Sequence, residues 1–132
     1  MQRSNFYSYT QKKLDLLTKN LLVIKRDGRI VKFDADKIYK AIEKAVNSVF
    51  GEKHSININN IVDNVIIEIG NRFKDNIKIY ELQNIVEHTL LTLGEEAIYE
   101  EYVGYRSMRD IERERSLDIN VAIEKLVNRD EN

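Results

Sequence analysis

The sequence predicts an α+β fold, a small β-sheet followed by a bundle of helices. Three observations carry this. Asp27-Gly28 sits between two short apolar runs, Leu21–Lys25 and Arg29–Phe33. Downstream, apolar residues recur at helical spacing in successive windows. The 132 residues contain no proline, so nothing covalent interrupts those helices.

Taken in order, residues 1–20 are polar, with Phe6, Tyr7 and Tyr9 clustered. Thr10 to Thr18 can form a short helix with Leu14 and Leu17 on one side, and the segment reads as a loosely attached extension. The two apolar runs then predict a β-hairpin over residues 21–34. Glycine tolerates the positive φ of a tight primed turn, so Asp-Gly marks the reversal. Asp34 has the chemistry of a helix N-cap, because its carboxylate can accept backbone N–H groups. Ile38, Ala41, Ile42, Ala45, Val46 and Val49 follow at helical spacing, and Gly51 can end that helix.

A second helix is expected over residues 57–73. Its stripe of Ile58, Ile61, Val62, Val65, Ile66 and Ile69 is rich in β-branched residues, but the alternating steps of three and one decide for helix over strand. Ile77 to Ile79 predicts a brief third strand. A third helix turns Leu82, Ile85, Val86, Thr89 and Leu90 inward and ends at Gly94. A fourth begins near Glu95, carries Ile98, Tyr102 and Tyr105, and becomes highly charged at "YRSMRDIERERS". A last amphipathic segment spans Leu117 to Val127. The domain reading is an extension (1–20), a folded domain (21–110) and a charged helical linker (111–132).

Hydrophobic residues make up 42% of the chain and charged ones 33%, enough apolar material for one core and a solvated surface. The net charge is −1, so general polyanion binding is excluded and any anion site must be local. The lack of cysteine removes disulfides, thiolate metal sites and thiol catalysis together. No apolar run approaches a membrane span, and the N-terminus lacks the apolar stretch of a signal peptide. A cytoplasmic location is the default expectation, with no membrane and no nucleic acid among the partners.

The informative chemistry is basic. Lys25, Arg26, Arg29, Lys32 and Lys37 crowd around one hairpin and the start of one helix. A helix N-terminus presents free N–H groups and partial positive charge, so adjacent lysines and arginines make it a polyanion site. The same charges also fit a solvated hairpin balanced by Asp27, Asp34 and Asp36. Neither G-x-x-x-x-G-K-[ST] nor G-x-G-x-x-G occurs, which favours binding without turnover. His54 and His88 lack ligand-like neighbours and read as polar-face residues, so no metal or catalytic residue is assigned. Tyr99, Tyr102 and Tyr105 read as core and rim packing, and Glu95, Glu96, Glu100 and Glu101 as a solvated face.

The stretch "VIKRDGRIVKFDADKIYKAI" resembles the opening motif of the ATP-cone, the nucleotide-sensing domain of ribonucleotide reductases. Val23, Lys25, Arg26, Asp27, Gly28 and then Lys37 match in order, and the likeness covers roughly residues 21–110. It implies a small sheet capping four helices. "YEEYVGYRSMRDIERERSLDINVAIEKLVNRDEN" looks like the stretch that follows the cone in anaerobic ribonucleoside-triphosphate reductases. The family's catalytic cysteines and glycyl radical loop are missing from this chain, so it looks like a regulatory part and not an enzyme by itself.

The resemblance implies an allosteric site for ATP or dATP as effector, with Mg2+ an optional companion. Lys25, Arg26 and Lys37 would hold the phosphates. Val23 and the hairpin backbone, with Asp27, Gly28 and Lys32, would line the site. Asp34 matches a polar position near the nucleotide, and Arg106 would close the site from helix four. Two features depart from relatives. A strand position often acidic there is Val31 here, and positions where some carry Thr and His are Ile79 and Gln83. Gln83 retains the capacity to hydrogen-bond a base or ribose. The implied partners are the reductase's catalytic domain and further copies of the chain. The alternatives are a free-standing cone that regulates transcription and a helical protein-interaction module.

Overall fold

The structure is a computed structural model that describes residues 14–108. Phe6, Tyr7, Tyr9 and the segment Leu117 to Val127 lie outside the described residues. The chain divides into two compact units with the boundary between Tyr102 and Val103. In the second unit, residues 103–108 are helical, with Tyr105 and Met108 exposed.

The first unit places a three-stranded sheet on helices, the coarse α+β architecture that the sequence predicts. β1 (Leu22–Ile24) lies between β2 (Ile30–Lys32) and β3 (Asn76–Lys78). β1 and β2 are antiparallel, with Leu22 opposite Lys32 and Ile24 opposite Ile30. β1 and β3 are parallel, with Leu22 opposite Asn76 and Ile24 opposite Lys78. The helices are α1 (Ala35–Phe50), α2 (Ile58–Arg72) and α3 (Ile79–Thr92), and residues 96–102 are helical as well.

Local chemistry sets the boundaries. Asp34 caps α1, its carboxylate accepting from the Asp36 N–H at 3.0 Å, as the sequence predicts. Asn57 caps α2 in the same way, accepting from the Asn60 N–H. α2 helps form the core through Val62, Val65 and Ile69, all fully buried. With Ile42, Val46, Ile77, Leu90 and Ile98 they make one apolar cluster, each side chain contributing about 1.5–3 kcal/mol by burial. Tyr99 and Tyr102 pack against that cluster, in keeping with the packing role read for them.

Two local expectations are corrected. The turn at Asp27-Gly28 is not a two-residue primed turn. Lys25 N–H bonds to Arg29 C=O and Gly28 N–H to Lys25 C=O, which closes a three-residue loop of Arg26, Asp27 and Gly28. Only Gly28 in that loop has positive φ, at 88°; a primed turn of the first type would need it at Asp27 too. The reason is in the side chain of Asp27, whose Oδ1 accepts from the Arg29 N–H at 3.1 Å and so caps the loop across Gly28. The second correction concerns the residues before the hairpin. Residues 14–17 are helical and not loosely attached: Leu14 is buried, and Leu17 packs on the core beside Gly70.

Among the described residues, no helix is long and apolar enough to cross a membrane.

Candidate functional site

Strand alternation sorts the basic residues before any ligand is considered. In β1 and β2, Val23 and Val31 stand opposite one another and turn toward the helices; Val23 is buried and Val31 packs on the core. Lys25, two residues beyond Val23, continues that inner face and is half-buried. Ile30 and Lys32 alternate out of phase with Val31 and Phe33 and turn outward. Lys25 and Lys32 therefore stand on opposite faces of the sheet.

The parallel β1–β3 pair decides what lies beside Lys25. Because Ile24 is opposite Lys78, Lys25 and Ile79 leave the sheet side by side. The first turn of α3 is thus next to the end of β1 and the hairpin loop. Lys78 N–H donates to Glu81 Oε1 at 3.1 Å and closes that turn. Gln83 sits on the same end of α3. It is half-buried, and its Oε1 is buried without a hydrogen-bond partner. A buried amide oxygen left unpaired costs about 1–3 kcal/mol, so it waits for a donor.

α1 begins at the other end of β1. Leu22 is opposite Lys32, and the Phe33 N–H bonds to the Leu21 C=O, so Asp34 and Lys37 follow from that end. The two ends of the three-residue strand are about 10 Å apart. Lys37 is exposed on the first turn of α1, and Arg26, Asp27 and Gly28 are exposed in the loop. Lys25 and Arg26 each make an interaction within the protein. Arg29 is folded onto Asp27, with Nε at 2.7 Å from Oδ2. The Arg29 backbone N–H, and then its side chain, hold the Asp27 carboxyl below the usual carboxylate range. Beside the cap, Asp36 Oδ2 pairs with Lys40 Nζ at 3.2 Å, and this raises the Lys40 pKa.

Val23 thus forms the floor under the hairpin, with Lys25 and Gln83 at one end and Asp34 and Lys37 at the other. Arg106 lies in the second compact unit, on the helical residues 103–108. Lys78 stands at the same end as Lys25, with its Nζ 5.8 Å from the Tyr80 ring centre. The sequence reading did not single it out, because "IKIY" carries no charge cluster and strand pairing alone brings it there.

His54 Nδ1 accepts from the Ile56 N–H at 3.1 Å, and His88 is exposed. His54 lines, with Phe50, Lys53, Ser55 and Ile56, an open depression of about 460 Å³ beyond the C-terminus of α1, away from the hairpin. Among the described residues no group of three or more His, Cys, Asp or Glu is placed to hold a metal.

The sequence profile of the ATP cone domain matches residues 21–111. The chain is 34% identical over 110 residues to an anaerobic ribonucleoside-triphosphate reductase of Haemophilus influenzae, covering 82% of this chain and 15% of that protein. It is 28% identical over 113 residues to a ribonucleoside-diphosphate reductase subunit alpha of Chlamydia muridarum, covering 78% and 11%. It is also 35% identical over 94 residues to the transcriptional repressor NrdR of Caldicellulosiruptor saccharolyticus, covering 69% and 58%. The chain thus spans only a small part of the reductases it matches. On this match, and with a three-stranded sheet resting on helices, the chain belongs to the ATP-cone family, whose members are regulatory domains that bind ATP or dATP as effectors.

Proposed function

We propose that this chain senses adenine nucleotides for an anaerobic ribonucleoside-triphosphate reductase and sets the activity of its catalytic domain. The effector, ATP or dATP with Mg2+ as an optional companion, lies against the inner side of the hairpin. Lys25 and Arg26 hold phosphates from the end of β1, and Lys37 holds them from the first turn of α1. A triphosphate is long enough to engage both ends, where a single phosphate is not. Val23, Asp27, Gly28 and the hairpin backbone form the wall on the base side, and Asp34 keeps the α1 N-terminus in place. Gln83 donates or accepts at the base or ribose. Lys32, on the outer face, contributes only at long range. The observation that carries this reading is the buried, unpartnered Oε1 of Gln83 on the helix that starts beside Lys25.

ATP and dATP differ by one 2′-hydroxyl. An effector can shift an activity equilibrium only by its differential affinity for the two states. Discrimination therefore needs a close sugar contact, which a carboxamide can make to a hydroxyl. Calorimetry with ATP and with dATP tests the reading: micromolar binding is expected, and it should collapse when Lys25→Ala and Arg26→Ala are combined. No heat with either nucleotide removes it.

The similarity to the repressor NrdR, which covers more than half of that protein, supports a second reading as a free-standing transcriptional regulator. Sequence-specific retardation of DNA by the full chain would favour it over control of a reductase.

A further inference from the structure

The outer face of the sheet is uncovered. Leu22 is 39% exposed and Ile30 63%, and Tyr80 beyond the end of β3 is 52% exposed. Ile24 lies between them on the same face. A sheet normally leaves polar residues on its solvent side, so adjoining aliphatic side chains there mark a contact surface. The polar residues of that face are Lys32, Asn76 and Lys78; none is acidic. Two such faces would bring like charges together, so symmetric sheet-to-sheet pairing is disfavoured.

The opposite character is found where α1 and α3 end. Both helices start at strands, and both pack along α2. Each C-terminus lies a helix length of about 20 Å from the sheet end at which its helix begins. Neither has a basic residue in its last turn, so both C-terminal dipoles are unopposed. Exposed there are Val49 and Phe50 of α1 and Leu91 and Leu93 at the end of α3. Glu96 and Glu100 follow on the exposed side of residues 96–102. Glu101 ties that segment to α1 by accepting from Ser48 Oγ at 2.7 Å. In the loop after α1, Glu52 offsets Lys53.

We propose that the basic, aliphatic sheet face of one copy docks on the acidic, apolar helix ends of a second copy. The contact is heterologous, so copies stack head to tail and the assembly can extend or close into a ring. It goes beyond nucleotide binding: the proposed nucleotide site uses the inner face of the hairpin, and this contact uses the outer one. It rests on the homo-oligomer reading only in supplying its surfaces.

The test is sedimentation velocity of the full chain without nucleotide, so that a failure of effector binding cannot be confused with a failure of this contact. Wild type should gain mass with concentration at about 0.02 M salt and lose that gain at about 0.5 M. Lys32→Glu with Lys78→Glu should be monomeric, and so should Glu96→Lys with Glu100→Lys. Mixed in equal amounts, the two variants should associate again, since each then meets an opposite surface. That regain also shows that both variants fold. A wild type that stays monomeric near 1 mM overturns the proposal. So does association that survives both reversals, or a mixture that stays monomeric.

Discussion

Leu17 lies so close to Gly70 that a Cβ on Gly70 would sit 2.7 Å from Leu17 Cβ. The helical turn before the hairpin is thus seated on α2 through the one position of that helix lacking a side chain, in the turn where Gly70 C=O also accepts from Lys74 Nζ. Gly70→Ala gains about 1 kcal/mol of helix propensity but meets an atom that cannot rotate away. Overpacking costs about 1–3 kcal/mol, so a net loss of up to about 2 kcal/mol is expected in urea unfolding. Leu17→Ala should not rescue it, because Ala keeps the same Cβ; full rescue would show that the contact is misplaced.

Asp27 offers a pH test. Its carboxylate is held below the ordinary value of 3.8, chiefly by the Arg29 backbone N–H. A depressed folded-state pKa gives a contribution present above the unfolded value and lost as pH falls through the folded one. Carbon-detected NMR titration should place the Asp27 midpoint below 3.8. Arg29→Ala should recover only part of the shift, since the backbone donor remains. Full recovery would mean that the guanidinium, not the loop geometry, sets it.

Gln83 joins stability to binding. Gln83→Met keeps the shape and removes the unsatisfied oxygen, so the nucleotide-free protein should gain about 1 kcal/mol. The same change removes a hydrogen bond to the proposed effector and should weaken it about tenfold. A variant that loses stability without losing ATP affinity would place Gln83 outside the site.

Lys32 turns to the outer face of the sheet, whereas Lys37 stands on the first turn of α1. Lys37→Ala should lower ATP affinity tenfold or more, the usual worth of a charged hydrogen bond at about 1.5–3 kcal/mol. Lys32→Ala should change it by no more than about threefold, because its charge is screened by water from the inner face. Equal losses by titration calorimetry would move the site to the outer face.

Local chemistry made much of this protein legible from its residues. The Asp34 cap, the helical stripe of α2 despite its β-branched content, the brief third strand and the motif from Val23 to Lys37 all rest on spacing and on interactions a few residues apart. The turn type escaped because Asp-Gly serves two geometries, and the reach of the Asp27 carboxylate to the Arg29 N–H chooses between them.

What the sequence alone determined is the inventory: one hairpin, its basic side chains, the helices and their apolar faces, each encoded by neighbours in the chain. Only the tertiary structure decided which of those charges share a surface. Pairing of β1 with β3, more than fifty residues apart in sequence, brings the first turns of α3 and Gln83 beside Lys25 and puts Lys78 on the outer face that Lys32 shares. Strand partners are chosen by burial of Val23, Ile77 and the helix faces together, and a sum over the whole core has no signature in any one stretch of residues.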